Sequence, residues 1–227
     1  MGSEMCIRDS RRTALSKGMV YAHNSLVIPN AVDTSAFALP KDRDASKAVA
    51  MVGYVPKAKR LDLALDLIIA LREKAPEYRL ILKGKRPEEL KWLMLRTEEV
   101  GFFENQKARI HSEQLLESRA VEFSGFSSDM PTFYRSVGNI ISLSDYESFH
   151  LGLAEGAASG ATPTILRWEG SEDLYPSDWI CGSLEEMVER IIRSSDCPNN
   201  HAIEWVRHRY DVSIVYEQLI NLMDRVV

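Results

Sequence analysis

Apolar runs of strand length alternate along this chain with stretches whose apolar or small residues suit helices. The plainest case is 139-NIISLSDYESFHLGLAEGAASGATPTILRW-168. Asn139 to Ser144 predicts a strand, and Asp145, Tyr146, Glu147 and Ser148 a polar turn. Leu151 to Ser159 is a helix-compatible run stopped by Gly160, and Pro163 leads into a second strand-like run, Thr164 to Trp168. Strand, loop, helix and strand make one βαβ crossover.

The alternation continues on both sides. The run 48-AVAMVGYV-55 predicts a buried strand ending in Gly53, where a ligand can approach the backbone closely. From Leu61 to Lys74, apolar residues at 61, 65, 68, 69 and 71 predict an amphipathic helix, ended by Pro76. Tyr78 to Leu82 predicts a second strand, followed by the basic cluster Lys83, Gly84, Lys85 and Arg86. A long helix is expected over Pro87 to Val100, with Trp92, Leu95 and Phe102 in the core, then a polar stretch, Gly101 to Arg119, that carries no chemistry. Ala120 to Gly125 predicts a strand, and Asp129 to Ser136 a short helix with Phe133 and Tyr134 turned inward. Near the C-terminus, Trp179 to Cys181 predicts a short strand. Ser183 caps a helix to Ile192 with Glu186 at the capping-box position, and Asn200 to Tyr210 and Ser213 to Val227 form a helical tail. Near the N-terminus, Arg11 to Val20 predicts a short helix, Ser25 to Pro29 a short strand, and residues 39–47 a charged linker. The fold class is α/β, a doubly wound, Rossmann-like parallel sheet.

The 227 residues, 45% hydrophobic, suffice for a substantial core. A net charge of -5 gives no electrostatic reason to bind nucleic acid. No apolar run is long enough to span a bilayer and no apolar signal core stands near the start, so a cytoplasmic location is expected, with peripheral membrane attachment of the full-length protein left open. Cys6, Cys181 and Cys197 cannot all pair and show no zinc spacing, which suits reduced thiols. Glu4 to Ser10 matches the translation of a common sequencing-adapter oligonucleotide, so residues 1–10 are expected to be a non-native leader, 11–46 a hinge or connector, and 47–227 the folded domain with its helical tail.

Candidate chemistry gathers at the central crossover. In an open parallel sheet, ligands bind beyond the carboxyl ends of the strands. The unpaired N–H groups and the dipole at the start of the Leu151 helix favour an anion such as a diphosphate. Glu147 in the loop and Glu155 about one turn into the helix flank that position, with seven residues between them. Glu169 and Glu172 lie in a later loop and read first as solvated acids.

Taken together, Ser142, Glu147-Ser148-Phe149, Leu151, Glu155, the small residues after it, Gly160 and Pro163 resemble the nucleotide-binding half of the GT-B glycosyltransferases, in particular the retaining group with a Glu-x7-Glu motif. The resemblance runs from about Val27 to about Ile192. It includes 26-LVIPNAVDTSAF-37, similar to the family's interdomain hinge with Ala31 in place of a glycine, and Val121-Glu122-Phe123-Ser124-Gly125, where the family packs the nucleobase. It implies donor binding by Gly53, Lys59, Arg60, Gly84, Gly125, Ser148, Phe149, His150, Leu151 and Glu155, with Glu155 on the ribose, Lys59 on the diphosphate and Glu147, the catalytic candidate, on the transferred sugar. Tyr54 stands where the family has a diphosphate-binding arginine, Arg60 where it has a glycine, and His150 where it has the glycine of Glu-Gly-Phe-Gly.

The implied reaction is transfer of a sugar from a nucleoside diphosphate sugar to an acceptor hydroxyl with retention. The donor is the ligand, no metal or other cofactor is implied, and the partner is an N-terminal acceptor domain absent from this chain. The chain would then be a truncated donor-binding half, weakly active alone. A non-catalytic nucleotide-sugar or protein-interaction module with a degenerate site is the alternative, motivated by Tyr54 and Ala31, and a GT-B-like epimerase is a third reading.

Overall fold

The computed structural model describes residues 15–19, 21, 27–194 and 197–224. The expected leader, half of the expected Arg11 to Val20 helix, Ser25, Leu26 and the last three residues of the tail lie outside them.

The strands are β1 (Ala48–Val52), β2 (Arg79–Lys83), β3 (Val121–Gly125), β4 (Asn139–Ser142), β5 (Thr162–Leu166) and β6 (Ile180–Cys181). All pair in parallel, in the order β3-β2-β1-β4-β5-β6. The order therefore runs outward in two directions from the β1/β4 boundary, as a doubly wound fold requires. Around the sheet lie α1 (Leu61–Lys74), α2 (Lys91–Met94), α3 (Thr97–Ser112), α4 (Met130–Arg135), α5 (Leu151–Ala158), α6 (Ser171–Leu174), α7 (Leu184–Arg193), α8 (Asn200–Tyr210) and α9 (Val212–Met223).

Each face of the sheet has its own core. One is built by α1, α3 and α7 against Val49, Leu80, Leu82 and Ile141; Leu65, Ile68 and Leu71 of α1 are fully buried there. Burying each such side chain stabilises by about 1.5–3 kcal/mol. The other face packs α4, α5 and α8 against Ala50, Ile140 and Ile165. The small residues of α5 let it lie close to the sheet: a Cβ on Gly156 would stand 2.9 Å from Ile140 Cγ1, and one on Gly152 2.8 Å from Val52 Cγ1.

Several expectations need correction. The long helix from Pro87 is broken into a 3-10 turn, Pro87–Glu89, and the short α2, and the chain then re-enters helix at Thr97. The stretch read only as polar, Gly101 to Arg119, is mostly α3, because Glu99, Phe103 and Ile110 recur on one buried face and Gly101 sits on the exposed one. Trp92 and Leu95, expected in the core, are 46% and 86% exposed; Leu93 takes the core position instead. Residues 27–30 form no strand; the hinge-like segment pairs further on, where Val32 N–H donates to Tyr210 O at 2.7 Å and Val212 N–H to Val32 O at 3.0 Å. Ser183 caps α7, but the Glu186 carboxylate takes the N–H of Gly182, at 2.6 Å.

Candidate functional site

The loops that follow β1 and β4 meet at the carboxyl edge of the sheet. After β1 the chain turns through Gly53, with φ 73°, into a 3-10 turn at Lys57–Lys59. Glu99 of α3 accepts the Lys57 N–H at 2.8 Å and so fixes this turn from outside. The Asp145 N–H donates to Ala58 O at 2.9 Å, tying the β4 loop to it. Gly84 and Gly125, at the ends of β2 and β3, also have positive φ and are joined by a Gly84 N–H to Gly125 O bond of 3.1 Å.

The centre of the site is Glu147. Its Oε1 accepts from Lys59 Nζ at 2.7 Å and from Ser144 Oγ at 2.6 Å, and His150 Nδ1 lies 3.4 Å away. His150 Nδ1 also lies 2.7 Å from Ser142 Oγ at the end of β4. Burial alone would raise the Glu147 carboxyl, but His150, the Lys59 ammonium and the Ser144 hydroxyl outweigh it and hold the group below the ordinary carboxylate range. His150 is buried, which pushes its imidazole below the ordinary histidine range despite Glu147.

His150 is also the residue that precedes α5, and its φ is 58°. A left-handed backbone is costly for a residue with a Cβ. That geometry accounts for the glycine that the Glu-Gly-Phe-Gly pattern carries at this position. Arg60 shows the same substitution, with φ 62° where the pattern has glycine. Its guanidinium is held by Asp62 at 2.9 Å and Asp145 at 3.0 Å, so it braces the two loops.

Glu155, half-buried on α5, lies 3.3 Å from the hydroxyl of Tyr134, which also donates to Gly152 O at 2.7 Å. Burial raises the Glu155 carboxyl above the ordinary range. Tyr134 comes from α4 and was legible in sequence only as a core aromatic, because its contact with α5 depends on how two helices stack on one sheet face.

The remaining candidates separate. Phe149 is buried among Tyr175, Tyr210 and their neighbours, 4.8 Å from the Tyr210 ring centre, so its side chain anchors the loop. The Tyr175 hydroxyl holds the Phe149 carbonyl at 2.5 Å. Ser148 is half-buried in the loop and Leu151 is exposed at the first turn of α5. Tyr54 is buried in the other core, with its ring 5.9 Å from Phe123. The basic cluster splits: Lys83 lies over Phe133, Lys85 over Phe126 and Arg86 over Phe123. The Glu172 carboxylate is taken by Arg167 at the surface, and Glu169 is exposed. Among the described residues, no three His, Cys, Asp or Glu side chains are placed to hold a metal ion, and no helix is long and apolar enough to cross a membrane.

A doubly wound sheet with its polar cluster at the reversal of strand order defines a Rossmann-like domain, and that reversal is where such folds receive ligands. Comparison with solved structures narrows this to one fold family. HepE from Anabaena, in a crystal structure with UDP and glucose, superposes with a TM-score of 0.73 at 17% identity, covering 96% of this chain and 61% of HepE. The C-terminal domain of the group 1 glycosyl transferase LpcC from Francisella tularensis gives a TM-score of 0.63 at 17% identity, over 80% of this chain and 99% of that domain. In sequence, mannosylfructose-phosphate synthase of Agrobacterium fabrum is 32% identical over 128 residues, 55% of this chain and 26% of that protein. No family model matches the chain. The chain thus has the fold of the C-terminal half of the GT-B glycosyltransferases, and it spans about a quarter of the curated relative it matches and three fifths of HepE.

Proposed function

We propose that this chain is the donor-binding half of a glycosyltransferase that moves a sugar from a nucleoside diphosphate sugar to an acceptor hydroxyl with retention. The observation that carries this is the meeting of Lys59 and Glu147 across the β1/β4 boundary, in front of the first turn of α5. In HepE, structures with UDP and with UDP-glucose have been solved on the same fold.

In this reading the donor diphosphate lies against the N-terminus of α5, where backbone N–H groups and the helix dipole offset its charge. Lys59 turns from Glu147 toward the phosphates and stabilises the negative charge that grows on the leaving diphosphate. Glu155 accepts from the ribose hydroxyls. The binding of those hydroxyls offsets the cost of keeping a carboxylate in a half-buried place. Glu147, already ionised, accepts from a hydroxyl of the transferred sugar and fixes its orientation. His150 closes the floor beneath Glu147 and narrows the space for that sugar. The acceptor is held by an N-terminal domain, which α9 meets through Tyr216, Leu219, Ile220 and Met223, all exposed in this chain.

The test is a transfer assay with the chain joined to its upstream coding sequence, with proton NMR of the product. An axial anomeric linkage from an axial donor supports the proposal, and inversion overturns the retaining part of it. The second reading, a binding module without transfer, is favoured by the burial of Tyr54 at the position of a diphosphate-binding arginine. Nucleotide binding without transfer by the joined protein selects it.

A further inference from the structure

A cavity of about 260 Å³ lies on the opposite side of β1 and β2 from α5, between α3 and the loop that runs from Arg86 through α2. Leu61, Leu93, Phe103, Ile110 and Phe123 form its apolar lining. Lys59, Glu147, His150 and Glu155 take no part in it, so it is separate from the Lys59–Glu147 cluster, although its lining takes Tyr54 from the loop after β1 and Phe123 from β3. Met94 and Leu116, 45% and 46% exposed, stand where it reaches solvent.

Two polar atoms in its lining are buried without a hydrogen-bond partner: the Tyr54 hydroxyl and Gln106 Oε1. Tyr54 is itself 1% exposed, and burial pushes its phenol up to about 12, so at neutral pH it is a proton donor with nothing to donate to. A buried polar group left unpaired is costly, and native structures seldom keep one without a use. The neighbouring residue types explain neither atom: phenylalanine and leucine would fill the same places more favourably.

We infer that this cavity binds a neutral, mainly apolar small molecule whose hydroxyl or amide accepts from Tyr54 and donates to Gln106. Size and charge both point there. An apolar cavity of roughly 150 Å³ holds benzene, so this one has room for about ten non-hydrogen atoms. The charged lining residues are Arg86 and Lys107 against Glu88, Glu104 and Glu117, with Lys107 3.8 Å from Glu88 and Arg86 stacked over Phe123, so no excess positive field would draw an anion. A hydroxyl or amide supplies a donor and an acceptor together, which is what the two orphaned atoms require.

The probe is 2-naphthol, followed by its own fluorescence as the protein is added, with naphthalene and 2-naphthoate beside it. The inference predicts saturable binding of 2-naphthol, with naphthalene and 2-naphthoate each weaker by about five-fold or more, the scale of one hydrogen bond. Tyr54→Phe should weaken 2-naphthol by about the same factor and leave naphthalene unchanged, and Met94→Trp, at the rim, should weaken both. Because its hydroxyl has no partner to lose, Tyr54→Phe should unfold at no lower temperature than the parent chain. If that variant does not fold, Gln106→Leu carries the same comparison. Absence of saturable 2-naphthol binding overturns the inference, and so does an equal effect of Tyr54→Phe on 2-naphthol and naphthalene.

Discussion

The ammonium of Lys59, which follows β1, lies 2.7 Å from the carboxylate of Glu147, which follows β4. Those are the two strands between which the order of the sheet reverses, so the pair occupies the crevice where doubly wound folds receive their ligands. Each residue is the other's partner, and under the proposed function a donor would exchange that ion pair for contacts of its own.

Removing Lys59 should therefore cost stability in the free chain. Glu147 is buried and would lose its ammonium while keeping Ser144. Since Lys59 is itself partly exposed, the expected loss for Lys59→Ala is modest, about 1–2 kcal/mol, measured by urea unfolding. Lys59→Ala with unchanged stability would show that the pair is not formed in solution.

Acid should weaken the fold in two stages. His150 has a depressed pKa, so the unfolded chain takes up a proton there first, and stability falls as pH drops from about 7 toward the folded value. Glu147 is also depressed: its contribution is present above the unfolded carboxylate pKa and is lost as pH falls through the folded one. His150→Gly, which also suits φ 58°, should remove the upper stage and shrink the lower one, because His150 is among the groups that hold Glu147 down. A parent chain whose unfolding free energy is constant between pH 7.5 and 5.5 would contradict this assignment.

Glu155 should behave in the opposite way to Glu147. Its carboxyl is raised by burial, so ionisation costs the free protein stability, and Glu155→Gln should leave the thermal midpoint unchanged or raise it at pH 7. The same variant should weaken nucleotide binding by about 1.5–3 kcal/mol, as loss of hydrogen bonds to a charged group does. A fall in stability without a fall in affinity would make Glu155 structural.

Gly156 tests how closely α5 must lie. A Cβ there would be 2.9 Å from Ile140 Cγ1, so Gly156→Ala should destabilise by about 1–3 kcal/mol through overpacking. Ile140→Ala in the same chain should return part of that loss, as read by a double-mutant cycle of unfolding free energies. Strict additivity would show that the helix shifts freely.

Much of this architecture was legible in the residue pattern. The crossover from Asn139 to Trp168 carries period, turn and helix signals that agree, and the structure follows them closely. Glu147, Lys59 and Glu155 were singled out through their spacing and resemblance, and the structure brings Lys59 and Glu147 into contact while Glu155 lies beside Tyr134. What could not be read were the contacts set by tertiary packing: Tyr134 reaching Gly152, Ser144 and His150 converging on Glu147, Arg60 bracing two loops. The α3 helix was missed because it holds few apolar residues, although Phe103 and Ile110 stand one heptad apart on its buried face. Trp92 and Leu95 were misplaced for a related reason: apolar identity does not say which face of a broken helix meets the core.

The most direct measurement is a calorimetric titration of the chain with UDP, GDP and ADP and their common sugar conjugates, beside Lys59→Ala and Glu155→Ala. The donor-site account predicts saturable binding of one nucleotide, weakened by at least about 1 kcal/mol in each variant. Absence of binding at millimolar nucleotide, or binding that both variants leave unchanged, would contradict it.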